Sequence, residues 1–131
     1  MSSPWYDAAM DRLFLALGAL NALISVGCGA FAAHGLRSRV GPDLVAVFET
    51  GARYQMYHAL GLVLVGLLAL HRPSGLLAAA GWFHLAGIVI FSGSLYALTL
   101  SGVRALGAIT PVGGVAFLVG WALFALAALR G

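Results

Sequence analysis

The chain has 131 residues, of which 62% are apolar and only 8% charged, and its mean hydropathy is +1.00. Soluble domains are about half apolar and a quarter charged, so a soluble globular protein is excluded and a membrane protein is expected. All seven basic residues are arginines at scattered positions, so the net charge of +3 points to anchoring at lipid headgroups and not to nucleic acid.

Spans of about 20 residues use up a chain of this length, which reads as one integral membrane domain over residues 1–131. The opening MSSPWYDAAMDR carries two aspartates and no early Arg or Lys. It lacks the basic region and cleavage site of a secretory signal, so the first apolar run is expected to stay in the mature protein.

The first span is expected over 13–33, with Asn21 and Ser25 as its only strongly polar side chains. Cys28 is the only cysteine, which excludes an internal disulfide and a CxxC motif; between two glycines it reads as a small packing residue. GPD at 41–43 is a turn followed by a helix start, because proline is tolerated in a first helical turn and aspartate can cap one.

A helix from Asp43 to Leu70 would be about 42 Å long, more than the roughly 30 Å of hydrocarbon requires. Leu44, Val47 and Phe48 share a face from which Asp43, Glu49 and Thr50 are excluded. That pattern predicts a short amphipathic interfacial helix, a bend near Gly51, and a second span over 53–70. The third and fourth spans are expected over 76–100 and 106–129.

Short connections make neighbouring spans antiparallel. The predicted fold is therefore all-α: a four-helix transmembrane bundle with that interfacial helix between spans 1 and 2. Gly18 with Ala22, Ser25 with Gly29 and Ala116 with Gly120 place small residues at helical spacing, where helices approach closely in lipid. Gly113 and Gly114 after Pro111 read as a kink. No internal repeat is evident.

Polar residues gather in FETGARYQMYHAL at 48–60. Glu49 and Arg53 are four apart with the acid first, the favourable order for a helical ion pair, and Tyr54 and His58 form a second ladder. His34 ends span 1 on the same side. Ser92 and Tyr96 near the end of span 3, and Thr110 at the start of span 4, converge on that leaflet.

An ionisable group in the membrane costs about 2.5–3.5 kcal/mol unless paired or wetted, which makes this cluster a candidate ligand, ion or proton site. The alternative is structural: Glu49 and Arg53 as a headgroup ion pair, with Tyr6, Tyr54 and Tyr57 as interfacial aromatics and His34 in a cap or inter-helix bond. His71 reads as interfacial, and His84 beside Trp82 as interfacial or packed on the opposite leaflet.

His34, Glu49, Met56 and His58 lack metal-ligand spacing, so no metal site is expected. His34 with His58 is the only pair suited to bis-histidine haem. No P-loop, dinucleotide fingerprint, GxSxG or HExxH occurs, which favours a binding role over an enzyme.

GAFAAHGL at 29–36, RYQMYHAL at 53–60, FSGSLYALTL at 91–100 and LGAITPVGGVAFLVGW at 106–121 resemble the YgdD-type family of small four-span integral membrane proteins, a domain of unknown function with animal transmembrane-protein relatives. The resemblance covers nearly the whole chain; Ala32 stands where the family often has glycine. The family's recurrent positions fall on His34, Glu49, Tyr54, His58, Ser92, Gly93, Ser94, Tyr96, Thr110 and Pro111.

The arginines divide almost evenly between the two sides, so the positive-inside rule alone does not orient the chain. The more basic middle loop and C-terminus of relatives imply a bacterial inner membrane protein with both termini cytoplasmic. The resemblance implies no substrate, and the cofactor stays unknown.

The favoured function is a membrane binding or accessory protein whose polar leaflet holds a lipid headgroup, a quinone or a partner subunit. A small transporter or ion- and proton-handling protein, as a homo-oligomer, is the first alternative, and a haem or redox subunit the second.

Overall fold

Backbone polar groups cannot be left unpaired in hydrocarbon, and the chain meets that requirement with helices alone among the described residues. The computed structural model describes residues 8–130; the expectation for Tyr6 lies outside them. Helix α1 (Ala8–Ala33) ends in a turn and one 3-10 turn, Leu36–Ser38. Helix α2 (Pro42–His71) follows. Helices α3 (Gly75–Gly87) and α4 (Gly93–Ser101) are joined without a break by a π-helical turn, Ile88–Ser92. A 3-10 stretch, Arg104–Ala108, leads into α5 (Thr110–Arg130).

Four segments, Ala9–Ser38, Pro42–His71, Gly75–Ser101 and Arg104–Arg130, are long and apolar enough to cross a membrane. The helix boundaries have local causes. Gly41 is extended and Pro42 opens α2, where its missing N–H costs no hydrogen bond. The Ser74 hydroxyl accepts from the Leu77 N–H at 3.2 Å and caps α3. Gly102 closes α4 in the left-handed region at φ 74°, which glycine adopts without a Cβ penalty.

Two expectations need correction. The separate interfacial helix does not occur: residues 42–50 are the first turns of α2, which continues as one helix through Gly51, the position of the expected bend. Gly51 is buried because a Cβ there would lie 2.9 Å from a Tyr96 ring carbon; it is a site of helix contact. Nor do Pro111, Gly113 and Gly114 interrupt a helix. Pro111 lies in the first turn of α5, and a Cβ on Gly113 would strike the backbone of Phe91.

Burial along α2 recurs at Val45, Phe48, Ala52, Gln55, Ala59 and Leu62, the three-and-four spacing of one continuous helix face. Against it lies α1. A Cβ on Gly18 would be 2.8 Å from the Ala59 carbonyl oxygen, a backbone approach of the kind that small residues permit in lipid. Gly29, by contrast, has open space around it, so the expected close contact at Ser25 and Gly29 is made by Ser25 alone.

Two apolar clusters result. One holds Phe14, Leu62, Val65, Leu77, Ile88 and Phe117; the other holds Ala32, Leu36, Val45 and Phe48, with Cys28 and Tyr96 packed against it. Between them lies a layer of polar side chains.

Candidate functional site

The polar layer is built by side chains that cross from helix to helix. Ser25 of α1 donates to the Ala52 carbonyl at 2.6 Å. The Gln55 amide donates to Asn21 Oδ1 at 3.0 Å, and Gln55 Oε1 accepts from the Tyr96 hydroxyl at 2.7 Å. One glutamine, only 4% exposed, thereby links α1, α2 and α4. Ser92, at the end of the π turn, donates to the Gly51 carbonyl at 2.7 Å. Ser94 and Thr110 share a hydrogen bond of 2.6 Å that fixes α4 to the start of α5.

The convergence of polar groups is thus present for Ser92, Tyr96 and Thr110, but each meets a partner inside the bundle. Glu49 and Arg53 are not joined: the ion pair among the described residues is Asp43 with Arg104, at 3.0 Å and largely exposed. Arg53 is exposed and Glu49 half-buried, because both lie off the α2 face that carries Gln55 and His58. They border a shallow groove of about 350 Å³ between α1 and α2, with Ser25, Gly29, Met56 and Tyr57.

His34 does not approach His58. Since Ser25 is level with Ala52 and Asn21 with Gln55, His34 is level with the start of α2. That is about 22 Å from His58 along the axis at 1.5 Å per residue. Among the described residues, the exposed His34 is held only through its backbone N–H, to Ala30 and Phe31 carbonyls. A haem or metal site using that pair has no basis in the structure.

The partner of His58 is instead His84, with ring centroids 5.6 Å apart. His58 Nδ1 lies 2.8 Å from the Tyr54 carbonyl oxygen, and His84 Nδ1 lies 2.6 Å from that of Ala80. A carbonyl only accepts, so both Nδ1 atoms carry a proton, and in its neutral form each ring presents Nε2 as a lone pair. His84 is fully enclosed, and its Nε2 has no hydrogen-bond partner among the described residues.

Two glycines make room for the His84 ring. A Cβ on Gly61 would lie 2.7 Å from its Nε2, and one on Gly120 2.7 Å from its Nδ1. Trp121 meets it edge-on at 4.6 Å. His58 stacks on Phe117 with centroids 3.4 Å apart and planes within 8°.

His58 is also at the inner wall of a lateral groove between α2 and α5. This space of about 370 Å³ is lined by Tyr54, Tyr57, Phe91, Phe117, Leu118 and Trp121 as well. Tyr54 is 37% exposed and packs on Phe91 at 4.8 Å, so it forms part of the groove wall and not of the buried layer.

The residues missed by sequence reasoning are Gln55, Asn21, Ser25 and Ser94 as bundle connectors, and His84 as the companion of His58. A signal existed for Gln55 and His58, which fall on the buried spacing of α2. None existed for His84, whose partner depends on how α3 and α5 close around it.

Comparison with known proteins agrees with this architecture. The chain is 50% identical over 121 residues to UPF0382 membrane protein YwdK of Bacillus subtilis, covering 91% of this chain and 98% of that protein. It is 49% identical over 119 residues to a UPF0382 membrane protein of Staphylococcus epidermidis, covering 91% and 97%. A UPF0382 membrane protein of Staphylococcus aureus is 45% identical over 119 residues, again covering 91% and 97%. No solved structure matches. Residues 28–114 match the family model described as protein of unknown function (DUF423), and with these relatives and four membrane-crossing helices the chain belongs to that family of membrane proteins.

Proposed function

We propose that the protein binds a membrane-dissolved amphiphile with a flat polar ring, of the quinone type, in the groove between α2 and α5. The observation that carries the reading is the composition of that groove, in which a buried imidazole and two tyrosines sit among Phe91, Phe117 and Trp121. Ligand sites are concave and mostly apolar, with a few polar groups that set orientation. Tyrosine hydroxyls donate to ring carbonyls, and the His58 lone pair accepts from a ring hydroxyl. The groove opens sideways, since Tyr57 and Leu118 are exposed, which suits a ligand arriving from the bilayer.

Quenching of tryptophan fluorescence by a short-chain quinone, checked by native mass spectrometry, tests this. Saturable quenching is expected in the natural protein and its loss in Gly114→Leu. Gly114 lines the groove and has no atom within 4 Å of its Cβ position, so the leucine fills the groove without disturbing the fold. Undiminished binding by this variant would overturn the reading.

A proton-handling role is a second reading, favoured by the enclosed His84 Nε2 beside His58. It requires that proton flux into loaded vesicles fall in His84→Gln. We place the protein in the bacterial plasma membrane with both termini cytoplasmic. The bacterial membrane proteins among its relatives support the compartment, and reporter fusions at each terminus test the orientation.

A further inference from the structure

Three charged side chains on the α1–α2 side serve no internal bond. Glu49 borders two adjoining grooves: one of about 390 Å³ shared with Arg37, Val40, Pro42 and Val45, and one of about 350 Å³ shared with Arg53. None of Arg37, Glu49 and Arg53 has a side-chain hydrogen-bond or ion-pair partner among the described residues. Glu49 thus marks the junction of the two grooves, with Arg37 on one and Arg53 on the other, and together they form a charged furrow.

Their depth limits what can satisfy them. Helix α2 has 30 residues, about 45 Å, against roughly 30 Å of hydrocarbon. With the excess shared between leaflets, Glu49, about 10 Å from the start of the helix, lies at the boundary of headgroups and acyl chains. Phosphates and amines are the ionic partners which that layer supplies.

We propose that this furrow holds the headgroup of a zwitterionic aminophospholipid. Its phosphodiester lies between Arg37 and Arg53, and its primary ammonium lies on Glu49. Guanidinium groups match phosphate oxygens in geometry and charge, while the carboxylate accepts only from N–H or O–H. A primary ammonium has three such donors and a quaternary one has none. A headgroup with phosphate but no amine would bring like charge to Glu49. The acyl chain follows the seam past Gly29, Met56 and Tyr57, where the Gly29 Cβ position is open. This site is separate from the α2–α5 groove and stands or falls independently of it.

Native mass spectrometry of the purified protein, titrated with short-chain phosphatidylethanolamine, phosphatidylcholine or phosphatidylglycerol, provides the test. The ethanolamine lipid is expected to be retained about tenfold more tightly than the choline lipid, the size of one charge-assisted hydrogen bond. Glu49→Gln should erase that preference while leaving choline-lipid binding in place. Arg37→Gln with Arg53→Gln should weaken both. Soluble phosphoethanolamine should fail to displace the lipid.

Equal retention of the ethanolamine and choline lipids by the natural protein overturns the proposal, without reliance on any variant. So does a preference for the glycerol lipid, displacement by soluble phosphoethanolamine, or a cross-linked second copy occupying the furrow.

Discussion

Replacing Gly61 with alanine would place a methyl group 2.6 Å from His84 Cδ2 and 2.7 Å from its Nε2. The ring cannot retreat, because its Nδ1 is bonded to the Ala80 carbonyl and its other edge faces Gly120. Overpacking of this kind costs about 1–3 kcal/mol, and a ring blocked on both sides belongs in the upper half of that range. Exchange of glycine for alanine within a helix returns about 1 kcal/mol, so a net loss of about 1–2 kcal/mol is expected. Gly93, at the start of α4 with nothing within 4 Å of its Cβ position, keeps only the favourable part, and Gly93→Ala should be neutral or stabilising.

Reversible unfolding in mixed micelles, titrated with a denaturing detergent, would measure both. The pair should differ by about 1–3 kcal/mol. In a double-mutant cycle the Gly61→Ala penalty should vanish on the His84→Ala background, because the two groups are in direct contact. Equal stability of Gly61→Ala and Gly93→Ala, or a penalty that survives removal of the imidazole, would refute the account of His84 as a ring clasped between two glycines.

Gln55→Leu should cost more than Tyr96→Phe, since the first removes two inter-helix bonds and the second one. Each such bond is worth about 0.6 kcal/mol on average and up to about 1.7 in membrane bundles, and the same detergent titration measures the order. Asp43→Asn should leave thermal stability unchanged and independent of salt, because the Asp43–Arg104 pair is exposed on both sides and water screens it; a drop in melting temperature would contradict this.

Much of the architecture is legible before any coordinates. Apolar length places the four crossing helices, the GPD at 41–43 marks the start of α2, and Gly102 marks the end of α4. The reading fails where one local pattern has two meanings. Excess length in α2 suggests a bend at Gly51, yet the glycine is there to admit Tyr96. Glu49 and Arg53 have the spacing of a pair and lie on the wrong face to be drawn into the bundle.

The candidate site was legible in its residue types and not in its pairings. His58 is conspicuous in any reading, but the companion expected from sequence is His34, with His84 on the opposite leaflet; the closure of α3 and α5 brings His84 to it instead. The π turn at Ile88–Ser92 has no local signature. It arises where Phe91 meets Gly113 and Ser92 meets the Gly51 carbonyl, both contacts with other helices.

The bonds across the polar layer differ in what happens when they are undone. Ser92 and Ser25 donate to carbonyls of α2 that the helix already uses. On separation each hydroxyl can turn back to a carbonyl of its own helix, as Thr99 does by sharing itself between Leu44 and Leu95. Tyr96 has no such retreat, since the phenol is too long and rigid to reach its own backbone. The seam between α2 and the Ile88–Ser101 segment is therefore fastened by two reversible catches, Ser92 and Thr99, and one latch, Tyr96 with Gln55, and that latch sets how readily these helices part within the bilayer.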